Sequence, residues 1–387
     1  MKIVHILHHY WPVIGGIENA VKALAEEQIR FGHEVHIVTS PYGAQGRPRE
    51  EEINGVYVHR VKAIRLGSPE LTLPLEYPNI FRNADVVHGH SHNSLFVVKM
   101  IEHAKRRYNI KTAMYFMAVD SLHSHPNPLF RRFGPMYAES NLKKAIKIAD
   151  IKLVMSIRDM RILEKKYGVT DIVYMPLGVS ESIMSAPNMA EKFRKKYGII
   201  DPFVVYVGRL HQLKGIHILI KAMSIVIKEI KDAKAVIVGP GDQKPYKQLA
   251  ERLNLSNAVL FLGYLDEDDK IAALDASTAL VLPSVSDFVE AFSIVTSEAW
   301  ARHRPVIASA VGELLYRVRH MEDGILVPPR DPKALASAIV LLLSDKELAK
   351  KLGAKGREKL KLWREIAQEI LGLYAKRESI NPDDSAL

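Results

Sequence analysis

The 387-residue chain contains no cysteine, which excludes disulfides, thiolate metal sites and a cysteine nucleophile. Apolar runs are short. None approaches the roughly 18 residues that a membrane-spanning helix needs. The amino terminus MKIVHILHHYW offers only IVHIL before His8 and His9, too little for the core of a secretion signal. No G-x-G-x-x-G dinucleotide fingerprint occurs, and no nucleic-acid-binding motif. Glutamine is scarce, at six residues, beside abundant Lys and Glu, a balance found in proteins of hot environments. These absences leave a cytoplasmic protein, with the inner face of a membrane as its candidate workplace. What is present is ordinary: 48% hydrophobic residues, 25% charged and a mean hydropathy of −0.04. Such a length suggests two or three domains. The formal charge of +10 favours anionic partners, whether nucleic acid, anionic membrane or phosphorylated substrate.

Short runs rich in β-branched residues alternate with stretches of helical periodicity: IVHIL at 3–7, EVHIVT at 34–39, DVVHGH at 85–90, TAMYF at 112–116 and IKLVM at 151–155. That alternation predicts an α/β fold with a mostly parallel, doubly wound sheet. The pattern restarts with FVVYVG at 203–208, KAVIVG at 234–239, AVLFLG at 258–263, TALVLP at 278–283 and RPVIAS at 304–309. Between the series, Pro176, Gly178, Ser180, Ser182, Ser185 and Pro187 punctuate a linker. The expected domains are 1–186 and 187–359, with a terminal helix at 360–387 packing back on the first. Two such sheets face each other across a cleft at their carboxyl ends, where open α/β sheets bind ligands.

After the first strand, Gly15 and Gly16 open a helix whose free amides can hold a phosphate or an oxyanion, although a plain glycine turn fits the same residues. Glu18, in the first turn, either favours the helix dipole or bonds an acceptor hydroxyl. VGRLHQLKG at 207–215 puts Arg209 and Lys214 on a strand-end loop. A planar fork and a point charge suit a diphosphate there, and two solvated surface charges are the alternative. In PSVSDFVEAFSIVTSEAW, Glu290 and Glu298 stand eight apart. A helix beginning near Ser293 would carry Glu298 on its second turn and offer the amides of Phe292, Ser293 and Ile294 as an anion nest. Two surface glutamates flanking an amphipathic helix would give the same spacing.

Glu290 to Glu298 matches the E-x(7)-E signature of retaining, nucleotide-sugar-dependent glycosyltransferases of the GT-B fold. The V-G-R-L-x-x-x-K-G and G-G-I-E segments match as well, in order, over nearly 300 residues. The whole chain resembles glycosyltransferase family 4, and GGIE with EAFSIVTSEA is similar to members that glycosylate phosphatidylinositol or other lipid acceptors. The resemblance implies two tandem Rossmann-like domains facing a cleft. It also implies that the Gly16 amide approaches the donor diphosphate, that Arg209 and Lys214 stabilise it as it leaves, and that Glu298 holds the ribose hydroxyls. Glu290 would contact the donor sugar, and the Ser293 and Ile294 amides the phosphates. VGPGD at 238–242, which includes Gly241, and GYLDEDD at 263–269 match the base-binding region, where the backbone of Tyr264 or Leu265 would pair with the base. The implied activity is retaining hexosyl transfer from a nucleotide sugar, with UDP- or GDP-sugars ahead of ADP-sugars, and with no cofactor, metal ion or dedicated protein base. A sugar-nucleotide epimerase of the same fold and a non-catalytic binder of nucleotide sugars or anionic lipids are the alternatives.

The chain departs from the family after TAMYF, where a His is usual. MAVDSLHSH places Val119 or Asp120 there, and Asp120 or His123 is the expected substitute. The G-G-x-x-E turn after RPVIAS is compressed to V-G-E-L-L, keeping Gly312 and Glu313, while E-G-F-G becomes E-A-F-S with Ala291 and Ser293 still small. His88, His90 and His92 alternate at a strand end and would share one face, a zinc-binding geometry; the resemblance instead makes them cleft-lining, with His90 on the acceptor side. Asp266, Glu267, Asp268 and Asp269 read as a capped helix start rather than a metal-binding D-x-D. Residues 80–170 hold 16 Lys and Arg against 7 Asp and Glu, nine of the ten net charges. A solvated helical surface accounts for that, but the resemblance assigns the acceptor side to this region. The expectation is docking on anionic lipid headgroups with a lipid-linked acceptor, and no nucleic-acid partner.

Overall fold

The structure, a computed structural model, describes residues 1–13, 15–120, 128–200 and 202–376. Strands β1 (Lys2–Ile6), β2 (Glu34–Thr39), β3 (Glu50–Ile53) and β4 (Val56–Arg60) lead to a small hairpin of β5 (Ala63–Arg65) and β6 (Thr72–Pro74). Then come β7 (Val86–His90), β8 (Lys111–Phe116), β9 (Ile151–Val154) and β10 (Ile172–Tyr174). Eight of these form one sheet in the order β10-β9-β8-β7-β1-β2-β4-β3, parallel except for the edge strand β3. The connecting helices are α1 (Gly16–Arg30), α2 (Leu95–Tyr108), α3 (Pro128–Ile148) and α4 (Ile157–Tyr167). Central strands are buried on both faces, which is why they read as β-branched runs. Val4, Ile6 and Val87 face a core shared with α2, whereas Ile3 and Val86 face the opposite core.

Helices α5 (Glu181–Ser185) and α6 (Ala190–Tyr197) lead into a second sheet. It consists of β11 (Phe203–Val207), β12 (Lys234–Val238), β13 (Val259–Gly263), β14 (Ala279–Leu282), β15 (Val306–Ser309) and β16 (Gly324–Val327). Its order is β13-β12-β11-β14-β15-β16, parallel throughout. This is the 3-2-1-4-5-6 arrangement that reverses direction between its first and fourth strands. The helices here are α7 (Ile216–Glu229), α8 (Lys244–Arg252), α9 (Glu267–Ala276), α10 (Ile294–Ala301), α11 (Leu314–Arg317), α12 (Pro332–Ser344) and α13 (Lys346–Arg357).

Polar residues fix the helix starts where the sequence places them. Ser94 and Ser156 cap α2 and α4, and Asp331 with Pro332 opens α12. Asp266 caps α9 through the Asp269 amide at 2.8 Å, so the acidic run is a helix start.

The last helix, α14 (Trp363–Ala375), leaves the second sheet and covers the first. Backbone bonds between Val179 and Lys361 (2.9 Å) and between Trp363 and Val179 (3.1 Å) guide its return. Ile366, Ala367, Ile370 and Tyr374 then join the core that holds Ile3 and Val86.

Candidate active site

Both sheets reverse their strand order, the first between β1 and β7 and the second between β11 and β14. The loops after these strands carry the candidate residues. Lys214 ends a short 3-10 turn after β11, followed by Gly215 at φ 73°. A Cβ at Gly215 would overlap the Pro283 carbonyl oxygen, so glycine is what lets this loop close against the end of β14. The Lys214 ammonium thereby reaches Glu290 Oε1 at 2.8 Å and the Val289 carbonyl at 3.0 Å. Glu290 is buried and also accepts from the Ser284 hydroxyl. Arg209 is exposed, with its carbonyl oxygen held by the Tyr206 hydroxyl at 2.8 Å.

Helix α10 begins one residue after the expected start. Ser293 caps it in the left-handed region at φ 64° without any side-chain cap, leaving its first amides available. Arg317 bonds the Phe292 and Ser293 carbonyls, each at 2.7 Å, and stacks 3.8 Å from the Phe292 ring. This fixes the turn from behind. Burial pushes the Arg317 guanidinium down to about 10. Glu298 stands on the second turn of α10 and pairs with Lys270 at 2.8 Å. Burial raises its carboxyl pKa and Lys270 opposes the rise. Gly241 follows β12, beside Leu210, and Leu265 and the exposed Tyr264 follow β13.

From the first sheet, Gly15 caps α1 without a side-chain bond, and Glu18 folds back over it, its carboxyl pKa raised by burial. The Cβ position of Gly16 lies 3.5 Å from Ile294. Ile17, Phe292 and Ile294 pack into one apolar cluster. The amino ends of α1 and α10 therefore converge beside the Lys214 and Glu290 pair, and this geometry can receive a diphosphate with a polyhydroxyl group.

Other expected residues are not brought there. The Asp120 carboxylate turns onto α4, bonded to Lys166 at 2.7 Å and Tyr167 at 3.2 Å. His123 lies outside the described residues. His90 is buried rather than open to an acceptor, with its Nε2 2.9 Å from His5 Nδ1. The histidine cluster also differs in membership. It joins His88 and His90 to His5, while His92 leaves the strand and approaches Phe116 instead.

Glu313 has a part that its sequence context does not reveal. Its carboxylate crosses from the second sheet to cap α4, accepting from the Ser156 hydroxyl at 2.7 Å and the amides of Ile157 and Arg158 at 3.1 and 3.2 Å. Arg158 and Asp159 beside it bond the carbonyl and amide of Val119, both at 3.0 Å. The backbone of Val119 is thereby engaged on both its amide and its carbonyl. The S-x-x-D pattern at Ser156 and Asp159 signals the helix start, but nothing local signals the partner from the other sheet.

Two facing parallel sheets, with an ammonium and carboxylate pair beside an open helix terminus at the switch point, define a glycosyltransferase of the GT-B class. The chain belongs to glycosyltransferase family 4: residues 14–182 match the Glycosyltransferase Family 4 model, and 189–359 match Glycosyl transferases group 1. An uncharacterized glycosyltransferase of Methanocaldococcus jannaschii is 30% identical, over 97% of this chain and 98% of its own. The phosphatidyl-myo-inositol mannosyltransferase of Mycobacterium leprae is 32% identical, over 53% of this chain and 54% of its own. Sucrose-phosphate synthase from Thermosynechococcus elongatus shares the fold at a TM-score of 0.77 and 24% identity, with 96% and 98% of the two chains covered. Anabaena HepE in complex with UDP does so at 0.75 and 19%, over 96% and 99%.

Proposed function

We propose that this glycosyltransferase moves a hexosyl group from a nucleotide sugar to an acceptor hydroxyl with retention of anomeric configuration, and that the acceptor is lipid-linked. The observation that carries the reading is the convergence of Gly16 and Ile294, at two helix starts, on the Lys214 and Glu290 pair. Without donor, Glu290 neutralises Lys214. A bound diphosphate competes for the ammonium and frees the carboxylate for sugar hydroxyls. The acceptor oxygen then bonds to the anomeric carbon on the face from which the phosphate oxygen departs. The acceptor proton passes to that departing oxygen, while Arg209, Lys214 and the α10 amides hold the charge of the nucleoside diphosphate. In this route neither a metal ion nor a protein base is needed. Glu298 receives the ribose hydroxyls, with Gly241, Tyr264 and Leu265 around the base. A uridine donor is favoured by Anabaena HepE, solved with UDP and with UDP-glucose.

Screening UDP-, GDP- and ADP-sugars for thermal stabilisation identifies the donor. With that donor, Lys214→Ala should lower turnover by about 10²- to 10³-fold, the usual cost of removing one charge-stabilising group. Full turnover in the variant would remove Lys214 from the reaction. The anomeric configuration of the product, read by NMR, tests retention.

Support for a lipid surface comes from α2 and its neighbours. Arg106 and Arg107 are exposed in its last turn. Leu66, Leu75, Tyr77 and Met136 are exposed on adjoining segments and on α3. Lys105 pairs with Asp150 and Lys143 with Glu139, acids already counted against the basic residues of this region, so its net charge stands. Among the described residues no helix is long and apolar enough to cross a membrane. Salt-sensitive sedimentation with anionic but not neutral vesicles is expected. Equal sedimentation with both would sink the lipid-surface part while leaving the transferase reading intact.

A further inference from the structure

We propose that His5, His88 and His90 form a divalent metal site of the zinc type, buried in the first sheet beneath α1 and α14 and separate from the donor machinery. One nitrogen of each imidazole lies within 4.8 Å of the other two, and the residues are 0, 0 and 3% exposed. The sheet sets this arrangement. His5 on β1 is in register with His88 on β7, and His90 follows two positions later on the same face. His5 Nδ1 and His90 Nε2 are 2.9 Å apart. Nitrogens at about 2.0–2.1 Å from a tetrahedral zinc stand roughly 3.3 Å apart, so a small separation of the rings admits the ion.

The surrounding side chains prepare the ligand atoms. His5 Nε2 meets Gln28 Oε1 at 2.7 Å, and His88 Nδ1 meets the Tyr374 hydroxyl at 2.6 Å. An imidazole that donates its outer N–H to an oxygen presents a lone pair on its other nitrogen, the usual arrangement of a metal-bound histidine. For His5 that free nitrogen is Nδ1, and for His88 it is Nε2. His88 Nε2 is buried and has no hydrogen-bond partner among the described residues. A buried polar atom left in this state is costly, and an ion would satisfy it. His90 joins through Nε2 once its proton moves to Nδ1. Three neutral nitrogen ligands select zinc, cobalt(II) or nickel(II) over magnesium or calcium, which favour oxygen. Through Tyr374 the ion would fasten α14, the helix returning from the second sheet, to β1 and β7.

The test uses the full chain, refolded from denaturant with chelator and then given one equivalent of cobalt(II). Visible d–d bands of low-coordinate, nitrogen-ligated cobalt are expected, bleached by one equivalent of zinc. Zinc should also be retained at one per chain through gel filtration. Tyr374→Phe should weaken zinc binding by about 10- to 100-fold, as loss of an outer hydrogen-bond partner does. His88→Asn should abolish it. Absence of both the bands and the retained zinc in natively folded wild type overturns the proposal, and that measurement needs no variant to fold. Undiminished binding by folded His88→Asn overturns it too, assigning the metal to other histidines such as His33 beside the amino terminus.

Discussion

Asp159 experiences opposed influences. Its Oδ1 accepts from the Val119 amide and from Arg158, which favours the carboxylate, yet the residue is only 1% exposed and Glu313 adds a like charge. Burial dominates and pushes the carboxyl up to about 7. Between the ordinary aspartate value near 3.9 and that figure, the folded chain holds a proton that the unfolded chain has released. Ionisation on raising the pH therefore costs stability, at about 1.4 kcal/mol per unit across the window, roughly 4 kcal/mol in all. Asp159→Asn keeps an acceptor for Val119 and removes the titration. The variant should gain on wild type by a few kcal/mol from pH 4 to pH 7, with no further gain above. Denaturant melts of both proteins at four pH values check this, and parallel curves would show that Asp159 titrates normally.

At the scale of elements, legibility followed burial and locality. The central strands stand out in the sequence because burial on both faces demands β-branched runs. The half-exposed edge strand β3, Glu-Glu-Glu-Ile, has no such constraint, and neither do β5 and β6. Lys214, Glu290 and Glu298 were readable because each motif occupies one loop or one turn. Glu313 was not readable in that way, since its partner Ser156 is 157 positions away and only the packing of the two sheets brings them together. The histidine cluster failed for a related reason. Alternation along one strand pointed to His92, but β7 ends at His90 and the third ring comes from the neighbouring strand. The return of the terminal helix was expected from its place after the second series of strands, whereas the Tyr374 contact with His88, 286 positions distant, was not.

For the whole molecule, the distribution of buried histidines predicts an uneven response to acid. Burial lowers His5, His8 and His92 to about 4 and holds His88 and His90 well below the ordinary 6.5. All five belong to the first sheet and its loops. In the second half, the lowered histidines His217 and His303 are only partly buried or exposed. A histidine kept neutral by the fold gives the unfolded chain the extra proton, so its contribution is complete above pH 6.5 and is lost as the pH falls toward 4. For His5, His8 and His92 the loss is up to about 3 kcal/mol each over that interval, and two of them rival the usual net stability of about 5–15 kcal/mol. Glu313, like Asp159, acts in the opposite direction, because burial raises its pKa and the folded chain takes up that proton more readily than the unfolded one as the pH falls. Calorimetry in the presence of chelator should show one transition near pH 7.5 that splits near pH 5, the first-sheet half melting at the lower temperature. Proteolysis between the two transitions should then release fragments from residues 1–180 while 190–359 resists. A single transition with an unchanged midpoint at both pH values would mean that the buried imidazoles accept protons without opening the first sheet.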